Sequence, residues 1–137
     1  MRFAGIILSI AVFILFCVLV GVAEFLWQPW FLLGVIVLSK AALLGAYSLE
    51  EHKRACLAFW SSSADEDSKK LAAEYFMTLK TTLIGAGWTT TVFGSIAVLA
   101  GGTPPDVVSF SLSFSGIGYG VFFAYAIVYP LARSFRS

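Results

Sequence analysis

Between Lys80 and Arg133 the chain carries a single charged side chain, Asp106. On either side of it lie two apolar stretches, 81–101 and 107–129. Each has the roughly 20 residues needed to cross about 30 Å of hydrocarbon as a helix. Lipid offers a backbone no hydrogen-bond partners, so such stretches must satisfy their own N–H and C=O groups, and helices do so. The turn between them reads Gly101-Gly102-Thr103-Pro104-Pro105-Asp106. Its paired prolines forbid one continuous helix. Asp106 is placed to cap the second helix of the pair or to sit in its first turn.

Two more apolar blocks precede these. Residues 3–23 carry no charge and follow Met1-Arg2. A basic start before an apolar run also fits a signal peptide. The run is long for a signal core, however, and Glu24-Phe25-Leu26-Trp27-Gln28 offers no small-residue cleavage site, so a retained first span is expected. The second block covers 30–47, with Pro29 suited to a first helical turn and Trp27 and Trp30 suited to the lipid–water boundary. With 59% hydrophobic and 12% charged residues in 137, this is not the composition of a soluble domain. The expected fold is all-α: one polytopic membrane domain over 1–137, with four transmembrane helices and a polar loop at 48–80.

Within that loop, Ser48 to Trp60 are expected to continue the second helix out of the membrane until Ser61-Ser62-Ser63 break it. Ser63 is a candidate N-cap, with Asp65, Glu66 and Asp67 in the first turn, where acids suit the helix dipole. Lys69 and Lys70 follow at a spacing that allows surface pairing. The new helix should run straight into the third span, with Leu71, Tyr75 and Leu79 on one side. The charges there read as a solvated helix face.

Charge also sets topology. The connections at 24–29 and 102–106 hold no Lys or Arg, whereas Arg2, Lys53, Arg54, Lys69, Lys70, Lys80, Arg133 and Arg136 all fall at the termini or in the central loop. Basic loops stay inside, so both termini and the loop are expected in the cytoplasm and the chain in the cell inner membrane. Lys40 is the one basic residue inside a span. It either snorkels its amine to the cytoplasmic surface or faces the bundle as an intramembrane charge.

No catalytic constellation stands out, so no enzyme and no cofactor are expected. The Ser and Thr residues lack a nearby histidine base, and no glycine-rich phosphate loop follows a strand. His52 is the sole histidine, which argues against a His-based metal site. Cys17 and Cys56 fall in different environments and read as small apolar residues rather than a bridge. No basic patch interleaved with aromatics suggests nucleic acid.

What remains is a pattern of small and hydroxyl residues at helical spacing. It runs through Gly87, Thr91 and Gly94 in the third span, then Ser109, Ser113, Gly116, Gly120 and Ala124 in the fourth. Small residues let helices approach closely in lipid, where no hydrophobic drive brings them together. The hydroxyls, Thr90, Thr91, Ser113 and Ser115 among them, either line a polar path or bond their own helix carbonyls one turn back.

These residues also carry a family resemblance. Gly85-Ala86-Gly87-Trp88-Thr89-Thr90-Thr91-Val92-Phe93-Gly94 resembles the third helix of the MotA/TolQ/ExbB proton-channel superfamily. Gly116-Ile117-Gly118-Tyr119-Gly120, Ala124-Tyr125 and Pro130-Leu131-Ala132 with Arg133 and Arg136 resemble its MotA-type fourth helix. The resemblance is strongest over 84–136. It implies a stator-type subunit of an ion-motive-force-driven motor, forming a homo-oligomeric ring, a pentamer, around a single-span partner of the MotB, ExbD or TolR kind that carries an aspartate. It also implies H⁺ or Na⁺ as the transported ion, Thr90, Thr91, Ser113 and Ser115 along its path, and Gly87, Gly94, Gly116, Gly120, Ala124 and Pro130 in helix packing. The chain departs from the family in three places. Ile117 stands where the fourth helix has threonine, Ile84 stands where flagellar stators have proline, and a short loop at 48–80 replaces a large cytoplasmic region. Two other classes remain open: a stand-alone membrane transporter, or a structural or accessory four-span protein.

Overall fold

A computed structural model describes residues 2–19, 28–61, 63–101 and 107–136, all-helical apart from short connections and with no strand among the described residues. The helices are α1 (Arg2–Leu19), α2 (Pro29–Ala46), α3 (Leu49–Trp60), α4 (Glu66–Ala100), α5 (Val107–Ser113) and α6 (Ser115–Phe122). A π-helical turn (Phe123–Val128) then leads into α7 (Tyr129–Ser134). Three helical stretches are long and apolar enough to cross a membrane: α2, α4 and the composite 111–134. The first apolar run is helical over Arg2–Leu19. Residues 20–27 and 102–106, with Glu24, Trp27 and Asp106, lie outside the described residues.

The 35-residue α4 is the central post, with α2, α3, α6, the π turn and α7 all packed against it. Among the described residues, α1 packs against the π turn and α7, and its Phe13 ring stacks on Phe122 at the end of α6 at 4.1 Å. Bulky apolar side chains face outward, including Ile7, Leu8, Trp30, Val92, Phe93 and Leu99. The accessible surface is 8807 Å², against roughly 7,000 Å² for a compact soluble monomer of this mass. Apolar sides turned outward on such a scale suit lipid or neighbouring chains as the surrounding medium.

Three local expectations are corrected. Helix α2 does not continue through the loop. It ends at Ala46, Tyr47 turns extended, and Ser48 caps a new helix. The Ser48 hydroxyl accepts from the Glu51 amide at 3.3 Å, while the Glu51 carboxylate accepts from the Ser48 amide at 2.8 Å. This capping box satisfies two orphan donors at once. It starts α3 afresh, so α3 folds back on α4 as a hairpin with Ala55 and Ala58 buried against it. The hydroxyls of Tyr47 and Thr78 meet at 2.9 Å where the chain turns.

The N-cap of α4 is Asp65 rather than Ser63, its carboxylate accepting from the Ser68 amide at 3.4 Å. Lys69 pairs with Glu66 at 3.3 Å. The expectation that this helix runs unbroken into the third span is met, with Ala72, Tyr75 and Phe76 on its buried side.

The stretch expected as a fourth span is not a continuous helix over 107–129. It breaks at Phe114, resumes, widens over 123–128 and extends to Ser134. Pro130 explains the widening. In a regular α-helix its ring would strike the carbonyl four residues back, and it has no N–H to offer. The π turn moves the backbone outward instead, and the Tyr129 amide reaches Ala124 O.

Candidate functional site

The seam between α4 and α6 brings the small-residue pattern together. A methyl added at Gly87 would stand 2.6 Å from Gly116 O and 3.2 Å from the Gly120 Cα. One at Gly120 would strike Leu83 O and come within 3.0 Å of the Gly87 Cα. One at Gly116 would meet the Thr90 hydroxyl and lie 2.9 Å from both Gly87 O and the Thr91 hydroxyl. Backbone therefore meets backbone at these positions, as the spacing of the glycines predicts. Ala124 continues the seam and is fully buried.

Gly94, one turn beyond Thr91, serves a different neighbour. A methyl there would fall 2.5 Å from the Phe31 ring of α2 and 3.3 Å from the Ser113 Cβ. The α4 stripe thus splits between two partners. Thr90 sits at the junction, its methyl facing the notch at Gly34 of α2. Pro130 is exposed, outside the seam, and shapes it only through the helix widening.

The hydroxyls fall into two groups. Thr89 donates to Gly85 O at 2.9 Å, Thr90 to Ala86 O at 2.9 Å and Gly87 O at 3.0 Å, and Ser113 to Ser109 O at 3.3 Å. These are back-bonds to their own helices. Thr91 differs. Only 4% exposed, it accepts the backbone N–H of Ile117 at 3.0 Å across the seam.

That contact follows from the break at Phe114. The first amides of a helix have no partner one turn back, and Ile117 lies in the first turn of α6. Thr91 supplies the acceptor from another helix. A hydroxyl can donate as well as accept, and the Thr91 proton has no acceptor among the described residues. Ser115 is half-buried on the same first turn. Thr90, Thr91 and the glycines 87, 116 and 120 therefore meet along one seam, with Ser113 beside Gly94, whereas no contact to the seam is found for Ser115 among the described residues. Lys40 stands apart, exposed and beside the buried Ser39 of α2.

Sequence reasoning missed several participants. The Gln28 amide donates to the Tyr119 hydroxyl at 3.0 Å, tying the start of α2 to α6. Phe31 fills the Gly94 notch, and the Ile117 main chain is the partner of Thr91. At the loop end, Tyr47, His52 and Tyr75 pack edge to face, with the His52 ring nitrogens and the Tyr75 hydroxyl buried without a partner among the described residues. No group of three or more metal-ligating side chains is found among the described residues.

Comparison with protein-family models, with curated proteins and with solved structures found no match for the chain.

Proposed function

We propose that this chain is a subunit of an ion-motive-force-driven membrane motor. A ring of copies would surround a single-span partner whose aspartate carries H⁺ or Na⁺. In this reading four spans cross the inner membrane with both termini cytoplasmic. Spans three and four face the partner, and spans one and two face lipid. Ionisation of the partner's aspartate strengthens its contact with the hydroxyl side of the ring. Protonation weakens that contact and lets ring or partner advance one step.

The observation that carries the reading is the Thr91–Ile117 contact at the break in the fourth span. Thr91 lies midway along 81–101. Irregular backbone at membrane depth is tolerated where it is buried in protein or borders a polar path. There the Thr91 hydroxyl, which accepts from the Ile117 amide, keeps its own proton to donate toward a carboxylate. The resemblance over 84–136 adds support.

The test compares Thr91→Ser, Thr91→Val and Thr91→Ala in assemblies reconstituted with the partner. The serine variant should keep ion-dependent activity, while alanine and valine should lose it in rings that still assemble. Intact ion-dependent activity in both the alanine and the valine variant overturns the assignment.

A purely structural role is the second reading. It is favoured by the back-bonded hydroxyls of Thr90 and Ser113 and by the burial of Thr91 within one chain. It predicts a stable assembly that conducts nothing with any partner.

A further inference from the structure

At the loop end of the bundle, where the last apolar run stops, two cations lie over tyrosine rings and a third lines the cavity beside them. The Lys80 ammonium lies 5.2 Å from the centroid of the Tyr125 ring and 5.0 Å from that of Tyr129. The Arg133 guanidinium lies 5.9 Å from the same Tyr129 centroid. Met77, Tyr129, Arg133 and Arg136 line an open cavity of about 410 Å³ between α4 and α7. Phe135 stacks on Phe76 at 5.7 Å and nearly parallel, which pins the α7 end to α4 and holds both arginines beside the cavity.

None of these cations is held in an ion pair among the described residues, where the one ion pair is Lys69–Glu66. Cation–π contact holds a positive group in place without neutralising it, and two cations over one ring repel each other. The cavity is large enough for a small-molecule group. It combines an apolar wall from Met77, a tyrosine face and two guanidinium forks that match phosphate oxygens. Basic pockets between helices at the cytoplasmic end of membrane spans bind anionic headgroups.

We propose that Lys80, Arg133 and Arg136, gathered around Tyr129, form a site for the phosphate headgroup of an anionic membrane lipid. The acyl chains would run along the exposed apolar side of the fourth span, past Tyr125. This goes beyond the motor reading and does not depend on it, because the site lies within one chain and needs neither ring nor partner.

The experiment measures lipid retention by the chain alone in detergent, by native mass spectrometry, with phosphatidylglycerol and phosphatidylcholine as probes. Phosphatidylglycerol should be retained preferentially. Arg133→Gln should weaken it roughly five-fold, and Arg133→Gln with Arg136→Gln roughly 25-fold, at about one basic contact each. Lys53→Gln, on the exposed side of α3, should leave retention unchanged, and circular dichroism checks that each variant is folded. Equal retention of the two lipids, or retention unaffected by the double substitution, overturns the proposal. Displacement of phosphatidylglycerol by millimolar glycerol 3-phosphate would assign the site to a soluble phosphate ester and overturn the lipid assignment.

Discussion

Gly87→Ala and Gly85→Ala, two residues apart on one helix, separate seam packing from helix propensity. At Gly87 the added methyl would stand 2.6 Å from Gly116 O, a backbone atom that no rotamer change can move. Reaching ordinary contact requires the α4–α6 seam to open by about 0.8 Å, because overpacked side chains shift backbone when they cannot rotate. The Thr91–Ile117 bond, now 3.0 Å, then stretches beyond hydrogen-bonding range. Overpacking destabilises by about 1–3 kcal/mol, and a lost interhelical bond in lipid adds roughly 0.6 kcal/mol. Set against a helix-propensity gain of up to ~1 kcal/mol, Gly87→Ala should destabilise by about 1–3 kcal/mol. At Gly85 nothing lies within 4 Å of an added methyl, so alanine there should be neutral or stabilise by up to ~1 kcal/mol through helix propensity. The assay is unfolding in mixed micelles by graded SDS, followed by circular dichroism. Gly118→Ala, also in open space, and Gly120→Ala, against Leu83 O, repeat the comparison on α6. If Gly87→Ala and Gly120→Ala are no worse than Gly85→Ala and Gly118→Ala, the seam is not what holds these helices together.

Other expectations follow from the loop. Ser48→Ala removes the cap of α3 and should destabilise its first turn by about 1 kcal/mol, read as faster amide exchange at Glu51 and His52. Hydrogen bonds from the Ser48 amide and hydroxyl hold the Glu51 carboxyl below the usual range. The stability that the charged form lends the cap is therefore fully present above the unfolded-state value and is lost as pH falls through the lowered folded one. Glu51→Gln should flatten that dependence, measured as exchange protection corrected for intrinsic rates. Tyr47→Phe and Thr78→Ala should show a coupling of about 0.5–1.5 kcal/mol in a double-mutant cycle, since their hydroxyls meet at 2.9 Å.

How much of this was legible depended on how local the cause was. The apolar runs and their proline and glycine boundaries place α2, α4 and the fourth span, because lipid leaves the backbone few choices. The glycine spacing gave the seam for the same reason. The capping box at Ser48-Leu49-Glu50-Glu51 was visible as a Ser-x-x-Glu signature. Leu49, Cys56 and Leu57 mask it by extending the apolar pattern of α2, whereas that part of α3 is exposed. The break at Phe114 was not legible. The Ile117 amide beside it takes its acceptor from Thr91, 26 residues earlier in the chain, and no local pattern encodes that. The π turn was foreshadowed by Pro130, but a proline also allows a kink or a stop. The cation cluster depends on that turn, which sets the register of Tyr129 and Arg133 relative to Lys80, so spacing alone could not gather it.

The central claim is that copies of this chain form a ring around a single-span helix bearing an aspartate. Native mass spectrometry of the purified protein, with and without the product of the adjacent gene, tests it most directly. The account predicts a pentamer that retains one or two copies of the partner. A monomer or dimer that recruits nothing would contradict it, and would leave the α4–α6 seam as the packing surface of a transporter or accessory protein.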